Sequence, residues 1–296
     1  MSLTTRHRRE PAPWRAAAAE VAGWLARAPR AALLELVSRI GFLARGVVYV
    51  SVGALALLAA FDLTPHAGGA VSAMASWGRW PAGVALIWLT ATGLVGFATW
   101  RFLQAVFDAD GHGHALRGLV VRAGQAVSGA AHAILAWSLF GLLDGLEDLN
   151  EAGDQDAAQS VAAAVLAWPH GDMLLIGSGG AILVFAVGSV CQGLFQAFAK
   201  RLGCSPVACR WAVSLARLGY VGRGLALAPM GVFLAEAGFD ARAASARDFA
   251  GALQVVEDQP FGTLVLGLAA VGLIAFGLFA VFEAGFRRIV LDPAAW

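Results

Sequence analysis

The chain of 296 residues is too apolar for a water-soluble globular protein, because 59% of its residues are hydrophobic and only 14% are charged. Soluble domains carry about 25% charged residues. The composition therefore predicts an all-α integral membrane protein with lipid around it. We expect membrane lipids as partners, anionic headgroups among them, and no nucleic acid.

Residues 1–35 form a basic N-terminal segment ahead of the first long apolar run. Apolar residues recur at helical spacing between Trp14 and Ala28, opposite Arg15 and Arg27, which predicts an amphipathic helix in the cytoplasmic interface of the membrane. A partly disordered basic leader is the alternative. Charges interrupt the alanine-rich stretch, so a cleaved signal peptide is disfavoured.

Six apolar runs follow, and each is long enough to cross a hydrocarbon core about 30 Å thick. In lipid each run is expected to be a helix, because a helix satisfies its own backbone hydrogen bonds. The predicted spans are residues 40–61, 84–107, 120–143, 174–199, 216–237 and 263–284.

The six runs form three two-helix units that share two motifs. Each unit opens with Arg-x-Gly and a second glycine, and Pro-x-Gly precedes its second helix. The motif residues are Arg39, Gly41 and Gly46 with Pro81 and Gly83; Arg122, Gly124 and Gly129 with Pro169 and Gly171; and Arg217, Gly219 and Gly224 with Pro260 and Gly262. Recurrence of this kind is typical of a repeat architecture. We expect units at 36–110, 111–200 and 211–288, arranged as parallel repeats around a pseudo-threefold axis.

A short alanine-rich stretch precedes each Pro-x-Gly motif, at residues 70–77, 157–168 and 248–256. Apolar residues recur there at three and four positions, which predicts short amphipathic helices on the outer membrane surface. Proline can begin the following helix without loss of a backbone donor. Glycines spaced along the odd-numbered helices predict close helix packing.

We name each connection by the two predicted spans that it joins, so that the 2/3 connection joins the second and third spans. Basic residues concentrate in the N-terminal segment, the 2/3 and 4/5 connections and the C-terminal tail. The opposite side has only Arg79, Arg242 and Arg247, and the 3/4 loop is acidic. Cytoplasmic segments retain positive charge, so we expect a plasma-membrane protein with both termini in the cytoplasm. Cys204 and Cys209 of the 4/5 loop are then expected to be reduced.

Residues Arg217, Gly219, Tyr220, Arg223 and Gly224 follow the pattern Arg-x-Gly-Tyr-x-x-Arg-Gly. Together with the Pro-x-Gly motifs, this pattern resembles the bacterial membrane family catalogued as domain of unknown function 1206. The resemblance covers residues 36–288 and implies three copies of a two-helix transmembrane unit, with no established activity. The first unit has Phe42 in place of the tyrosine, and the second departs further with Gln125 and Ser128.

Five polar residues are predicted at similar depth near the cytoplasmic boundary, where a charged side chain inside a helix needs a partner. We predict that Arg223 pairs with Glu283 and that Arg45 bonds to Gln104, which would create a site for an anion or a lipid headgroup. Snorkelling of the arginines to the headgroups is the alternative. The five residues are Arg45, Arg223, Gln104, Gln196 and Glu283.

His132 is expected near mid-membrane in the third helix, as a candidate mid-membrane polar residue. A haem ligand there would need a second histidine at membrane depth, and none is available. His112-x-His114 is expected to be a solvated turn. No contiguous catalytic motif occurs, so we expect no enzymatic activity and no cofactor or metal. The predicted role is lipid or partner binding, or membrane organisation; a solute or ion path along the axis is the alternative.

Overall fold

The computed structural model describes residues 30–64, 68–108, 111–113, 115–144, 154–198 and 202–287. The chain divides into two compact parts, Met1–Leu36 and Val37–Trp296. Every contact reported below lies within Val37–Trp296. The predicted interfacial helix near the N-terminus and most of the acidic 3/4 loop lie outside the described residues. Over the part that is described the chain is helical, with one isolated β-bridge between Leu202 and Arg287.

Six of the described helices are long and apolar enough to cross a membrane, which confirms the predicted all-α class and indicates a multi-pass membrane protein. Three short helices lie between them. In chain order the helices are α1 (Arg30–Ala60), α2 (Ala70–Ala75), α3 (Pro81–Phe107), α4 (Leu116–Asp144), α5 (Asp154–Leu166), α6 (Gly171–Phe195), α7 (Pro206–Phe239), α8 (Phe249–Glu257) and α9 (Gly262–Phe286).

The long helices differ from the predicted spans at their ends. α1 and α7 begin about ten residues earlier, because polar residues can remain helical beyond the apolar run. At the start of α7 the Ser205 hydroxyl accepts a hydrogen bond from the Ala208 amide, and Pro206 is the first helical residue. α6 ends sooner than predicted, so Gln196 is its C-cap residue and lies outside the helix.

The glycine of each Pro-x-Gly motif has the same local role. A Cβ atom at Gly83 would overlap the carbonyl oxygen of Trp77. The equivalent overlaps are with Val165 for Gly171 and with Val256 for Gly262. The start of each second helix therefore lies directly on the end of the short helical stretch before it, and only a residue without a side chain fits there.

The Arg-x-Gly motifs hold neighbouring long helices together through their second glycines. A Cβ atom at Gly46 would lie 2.8 Å from the carbonyl oxygen of Gly277, and one at Gly224 would lie 2.5 Å from that of Ala186. Gly129 approaches the carbonyl oxygen of Ala98 more loosely, at 3.3 Å. In all three units this glycine packs against the second long helix of another unit, as small residues do between membrane helices.

The first glycines of the three Arg-x-Gly motifs differ in how closely they pack against a neighbouring helix. A Cβ atom at Gly41 would lie 2.6 Å from the backbone nitrogen of Phe97, and one at Gly219 would lie 2.5 Å from the Cα atom of Phe276. Gly124 has no neighbour within 4 Å of its Cβ position. The first and third units therefore close on their own second helix, and the second unit does not.

These contacts place the long helices in the neighbour order α4, α3, α1, α9, α7, α6. Among the described residues, α4 and α6, the two ends of this series, show no comparable packing against each other. Buried apolar side chains from every long helix except α6, and from α2 and α8, form the main core of the described residues. They include Met74, Ile87, Leu94, Leu139, Leu253, Leu266 and Leu273.

Candidate functional site

The centre of the candidate site is a buried carboxylate that two arginines share. Arg45 Nη2 donates to Glu283 Oε2 at 2.7 Å, and Arg287 Nη1 donates to Glu283 Oε1 at 2.7 Å. Arg287 caps α9 one turn after Glu283, so these two side chains lie on one face of the helix end. Arg45 reaches the same carboxylate from α1. The ion pairs therefore join α1 to α9.

Aromatic rings surround the guanidinium of Arg45. Its central carbon lies 5.3 Å from the ring centroid of Phe42, 4.8 Å from that of Phe97 and 4.9 Å from that of Phe276. A guanidinium within about 6 Å of an aromatic centroid gains a cation–π attraction. With only 2% of Arg45 exposed, its head lies inside the protein and does not snorkel to solvent.

Arg223 lies in the second half of the site and has no carboxylate partner among the described residues. Its Nη2 donates to Ser189 Oγ at 2.7 Å, and its guanidinium lies 4.4 Å from the ring centroid of Phe276 and 4.9 Å from that of Tyr220. The predicted pairing of Arg223 with Glu283 is therefore wrong. Glu283 faces α1 and its own helix end, and Arg223 faces α6.

Gln104 and Gln196 also differ from their predicted roles. Arg101 Nη1 donates to Gln104 Oε1 at 3.2 Å, and the Arg101 guanidinium lies 5.2 Å from the Phe97 ring. The predicted bond between Arg45 and Gln104 is wrong, because Arg45 turns to Glu283. Gln196 Oε1 is buried with no hydrogen-bond partner, and no described bond joins it to the other four predicted residues.

We call Arg45, Arg101, Arg223, Arg287 and Glu283 the arginine cluster. Among the described residues, four guanidinium groups and one carboxylate form this cluster, which gives a formal charge of plus three. Apart from the half-buried Arg101, every member is at most 9% exposed. A buried charge that lacks a partner is strongly destabilising. The cluster therefore has the electrostatics of an anion site.

The sequence reasoning missed Arg101, Arg287 and Ser189 as members or partners of this site. Two signals were available, since Arg101 stands three residues before Gln104 and Arg287 four residues after Glu283, both spacings that bring helical side chains together. Nothing in the sequence marked Ser189, because its role depends on which helix lies beside α7.

In the first and second units, the motif arginine at the start of the unit caps a helix of another unit. Arg39 Nη1 donates to the carbonyl oxygens of Ala284 at 2.5 Å and Gly285 at 3.0 Å. Arg122 donates through Nε to Ala105 at 2.7 Å and through Nη2 to Val106 at 2.9 Å. Carbonyls in the last turn of a helix lack intrahelical donors, so both arginines complete a helix terminus.

These two contacts are equivalent by position. Residues 284 and 285 stand as far beyond Pro260 as residues 105 and 106 stand beyond Pro81. No described side-chain hydrogen bond joins Arg217, the third motif arginine, to a helix end. The capping role of this motif therefore holds in two of the three units.

A cavity of about 200 Å³ lies at the centre of the bundle, next to the arginine cluster. Arg45, Tyr49 and His132 are its polar lining residues. His132 packs its ring 4.7 Å from that of Phe97, and its Nδ1 lies 2.7 Å from the carbonyl oxygen of Ser128. The other lining residues are Val48, Val52, Ala70, Leu94, Ala131, Leu135, Leu227, Phe249 and Leu273.

The remaining candidate groups give no metal centre. Among the described residues, no cluster of three or more His, Cys, Asp or Glu side chains could hold a metal ion. At the end of α3, the Asp108 carboxylate accepts hydrogen bonds from the amides of His112 at 2.7 Å and Gly113 at 2.6 Å. These bonds hold the pKa of Asp108 below its ordinary value.

Cys204 and Cys209 form a disulfide, contrary to the expectation of reduced thiols. The turn at Ser205 and Pro206 that begins α7 brings their Cα atoms to 5.6 Å, within the range that a disulfide spans. The same loop pairs with the end of α9, because the amide of Gly203 donates to the carbonyl oxygen of Phe286 at 2.8 Å.

Comparison with known proteins places this chain among relatives without an established activity. The family described as Domain of Unknown Function (DUF1206) matches residues 40–108 and 218–287, which fall in the first and third predicted units. The chain is 30% identical over 257 residues to the "Uncharacterized protein YxxB" of Bacillus subtilis (strain 168), an alignment that covers 86% of this chain and 91% of the relative. No solved structure matches it. The chain belongs to the DUF1206 family.

Proposed function

We propose that this protein is a non-enzymatic, multi-pass membrane protein that binds an anionic lipid headgroup at the arginine cluster. The observation that carries the proposal is the buried excess of guanidinium groups over carboxylates. Arg223 is the central case, because it is 6% exposed and has a serine hydroxyl and aromatic rings around it. An oxyanion beside it would supply the charge that the described residues do not.

The donor inventory of the cluster supports the same chemistry. The Nε atoms of Arg45, Arg101 and Arg223 are buried without a hydrogen-bond partner. An unsatisfied buried donor costs about 1–3 kcal/mol, and more when it is charged. The planar guanidinium fork matches the oxygens of phosphate and carboxylate groups. A bound headgroup would therefore satisfy both the charge and the donors.

We further propose that the three units are parallel repeats around a pseudo-threefold axis, in a bacterial plasma membrane, with both termini cytoplasmic. Two sets of equivalent contacts support the repeats. The Pro-x-Gly glycines pack against the short helical stretch that precedes each of them, and Arg39 and Arg122 donate hydrogen bonds to the carbonyl oxygens of helix ends. The segregation of basic residues supports the orientation. The disulfide between Cys204 and Cys209 counts against it, because thiols of a cytoplasmic loop stay reduced. On this topology the arginine cluster lies toward the cytoplasmic leaflet.

Passage of a solute along the axis is the second candidate. The cavity favours it, because Arg45, Tyr49 and His132 line a space at the centre of the bundle. The other nine lining residues are apolar, and a pathway for ions or polar solutes needs polar groups along its length. We therefore favour binding over transport.

The test is selective stabilisation of purified protein by anionic lipid. Short-chain phosphatidylglycerol, added well above its dissociation constant, should raise the melting temperature, since a ligand at 100 times its Kd adds about 2.7 kcal/mol. Short-chain phosphatidylcholine should not. Arg223→Gln should remove the difference, whereas Arg210→Gln, which removes an exposed arginine at the start of α7, should retain it. Equal stabilisation by both lipids contradicts the proposal.

A further inference from the structure

The central cavity combines an apolar lining with a small polar end, the usual composition of a small-molecule site. Five long helices line it, together with Ala70 of α2 and Phe249 of α8. Its volume of about 200 Å³ is of the order of the engineered apolar cavity of about 150 Å³ that accepts one benzene ring. The space therefore suits the first segment of one hydrocarbon chain.

The polar end of the cavity has unused hydrogen-bonding capacity of both kinds. The contact of His132 Nδ1 with the carbonyl oxygen of Ser128 requires a proton on Nδ1. Nε2 of a neutral ring is then an acceptor, and no described residue donates to it. Arg45 contributes a positive charge and a buried Nε without a partner. The Tyr49 hydroxyl also has no described hydrogen bond.

One side of the bundle is open to lipid next to this cavity. Every glycine of α1 and α7 is packed against a neighbouring element, whereas α4 and α6 carry most of the glycines with open space at the Cβ position. These are Gly124, Gly141, Gly177, Gly180 and Gly188. The same two helices lack close packing against each other over the described residues, and α4 is the helix that brings Ala131 and His132 to the cavity.

We propose that the central cavity binds a single-chain amphiphile with an oxyacid head, either a carboxylic acid or a phosphate monoester. The oxygens of the ionised head accept hydrogen bonds from Arg45 and Tyr49. A phosphate monoester that keeps one acid hydroxyl also donates to His132 Nε2, whereas an ionised carboxylate uses only the first two contacts. The first methylenes of the chain fill the apolar part, and the rest leaves between α4 and α6 into the bilayer. This inference rests on the proposed function, because it uses Arg45 of the arginine cluster, and it names a single-chain ligand for the cavity beside that cluster.

The experiment measures equilibrium binding to the full chain in phosphatidylcholine nanodiscs. The probes are dodecanoate and dodecyl phosphate, with dodecanol and inorganic phosphate as comparators. We expect one of the two acids, or both, to bind with a stoichiometry of one, and the comparators to bind at least about tenfold more weakly, since each lacks either the charge or the apolar chain. Binding of dodecanol as tight as that of the acids overturns the proposal.

Matched variants on one helix locate the site. Ala131→Phe adds a ring at an exposed position that lines the cavity, whereas Ala130→Phe adds the same ring at an exposed neighbour that does not line it. The first should lower affinity at least about tenfold and the second should leave it unchanged. His132→Leu, which installs the residue type that Leu227 provides at the matching position of the third unit, should weaken the binding of dodecyl phosphate about three- to tenfold.

A second cavity-filling variant and two combinations of outcomes distinguish the cavity proposal from the headgroup proposal. If Ala131→Phe does not fold, Leu227→Phe fills the same cavity from α7. If acid binding is insensitive to both cavity-filling variants while phosphatidylglycerol still acts through Arg223, the headgroup proposal stands and the cavity proposal fails. If Ala131→Phe abolishes acid binding while Arg223→Gln leaves lipid selectivity unchanged, the cavity proposal stands and the headgroup proposal fails.

Discussion

Arg45 of α1 and Glu283 of α9 form a buried ion pair, with 2.7 Å between Nη2 and Oε2. It joins the first unit of the chain to the third, and it lies where Gly46 and Gly277 bring the same two helices into backbone contact. The close approach of the helices and the pairing of the charges therefore depend on each other.

The first prediction concerns the carboxylate of this pair. Glu283→Gln should destabilise the protein by roughly 3–5 kcal/mol, because it removes the carboxylate with which Arg45 pairs and leaves that guanidinium buried without a counter-charge. Unfolding in detergent, followed by thermal shift, measures the loss. As a control, Glu236→Gln removes an exposed carboxylate near the C-terminal end of α7 and should change stability by less than about 0.5 kcal/mol. Similar effects of the two substitutions would contradict the structural role of Glu283.

The second prediction compares two glycines of α9. A Cβ atom at Gly277 would lie 2.6 Å from the carbonyl oxygen of Gly46, whereas Gly267 has no neighbour within 4 Å of its Cβ position. Gly277→Ala should destabilise the bundle by about 1–3 kcal/mol through overpacking. Gly267→Ala should be neutral or slightly stabilising, since alanine is the better helix former. Chemical denaturation of the two variants tests this difference, and equal stabilities would rule out the close contact.

The third prediction uses the unequal roles of the motif arginines. Arg39→Ala and Arg122→Ala should each cost about 1–3 kcal/mol and expose the last turn of α9 or α3, because each removes two bonds to helix carbonyls. Arg217→Ala removes no described side-chain hydrogen bond and should cost less. Hydrogen exchange at the two helix ends reports the effect directly. A loss at Arg217 as large as at Arg39 would mean that the motif acts in another way.

The fourth prediction is the orientation in the membrane. In a cysteine-free background, Asp154→Cys should react with an impermeant thiol reagent in intact cells, and Asp292→Cys only after permeabilisation. The expectation follows from the concentration of basic residues on the side of the termini. Labelling of Asp292→Cys in intact cells would reverse the proposed topology, and with it the leaflet that the arginine cluster faces.

The fifth prediction concerns the turn after α3. The pKa of Asp108 is lowered by the amides of His112 and Gly113, so its carboxylate form contributes stability to the turn. This contribution is complete above the ordinary pKa of about 3.9 and is lost as the pH falls through the lowered value. Nuclear magnetic resonance of the two amides should show their transition below pH 4, and Asp108→Asn should remove it. A transition above pH 5 would contradict the hydrogen bonding.

The sequence determined the helices, and it did so through local physics. A segment in lipid has to satisfy its backbone hydrogen bonds within itself, so apolar length alone located the six long helices. The Pro-x-Gly motifs likewise marked where the second helices start, because Gly83 packs against the backbone of Trp77, only six residues before it. Hydropathy did not mark the ends, as the early start of α7 at Pro206 shows.

The tertiary structure decided the partners of the charged residues. Sequence spacing gives the depth of a side chain in its helix, but not the direction in which the helix turns that side chain. The predicted pairs lay within one unit, whereas Arg45 bonds to Glu283 of the third unit and Arg223 to Ser189 of the second. Contacts between glycines of different units bring those helices together, and the same packing forms the walls of the cavity at His132. Neither could be derived from one helix at a time, because both depend on which helices are neighbours.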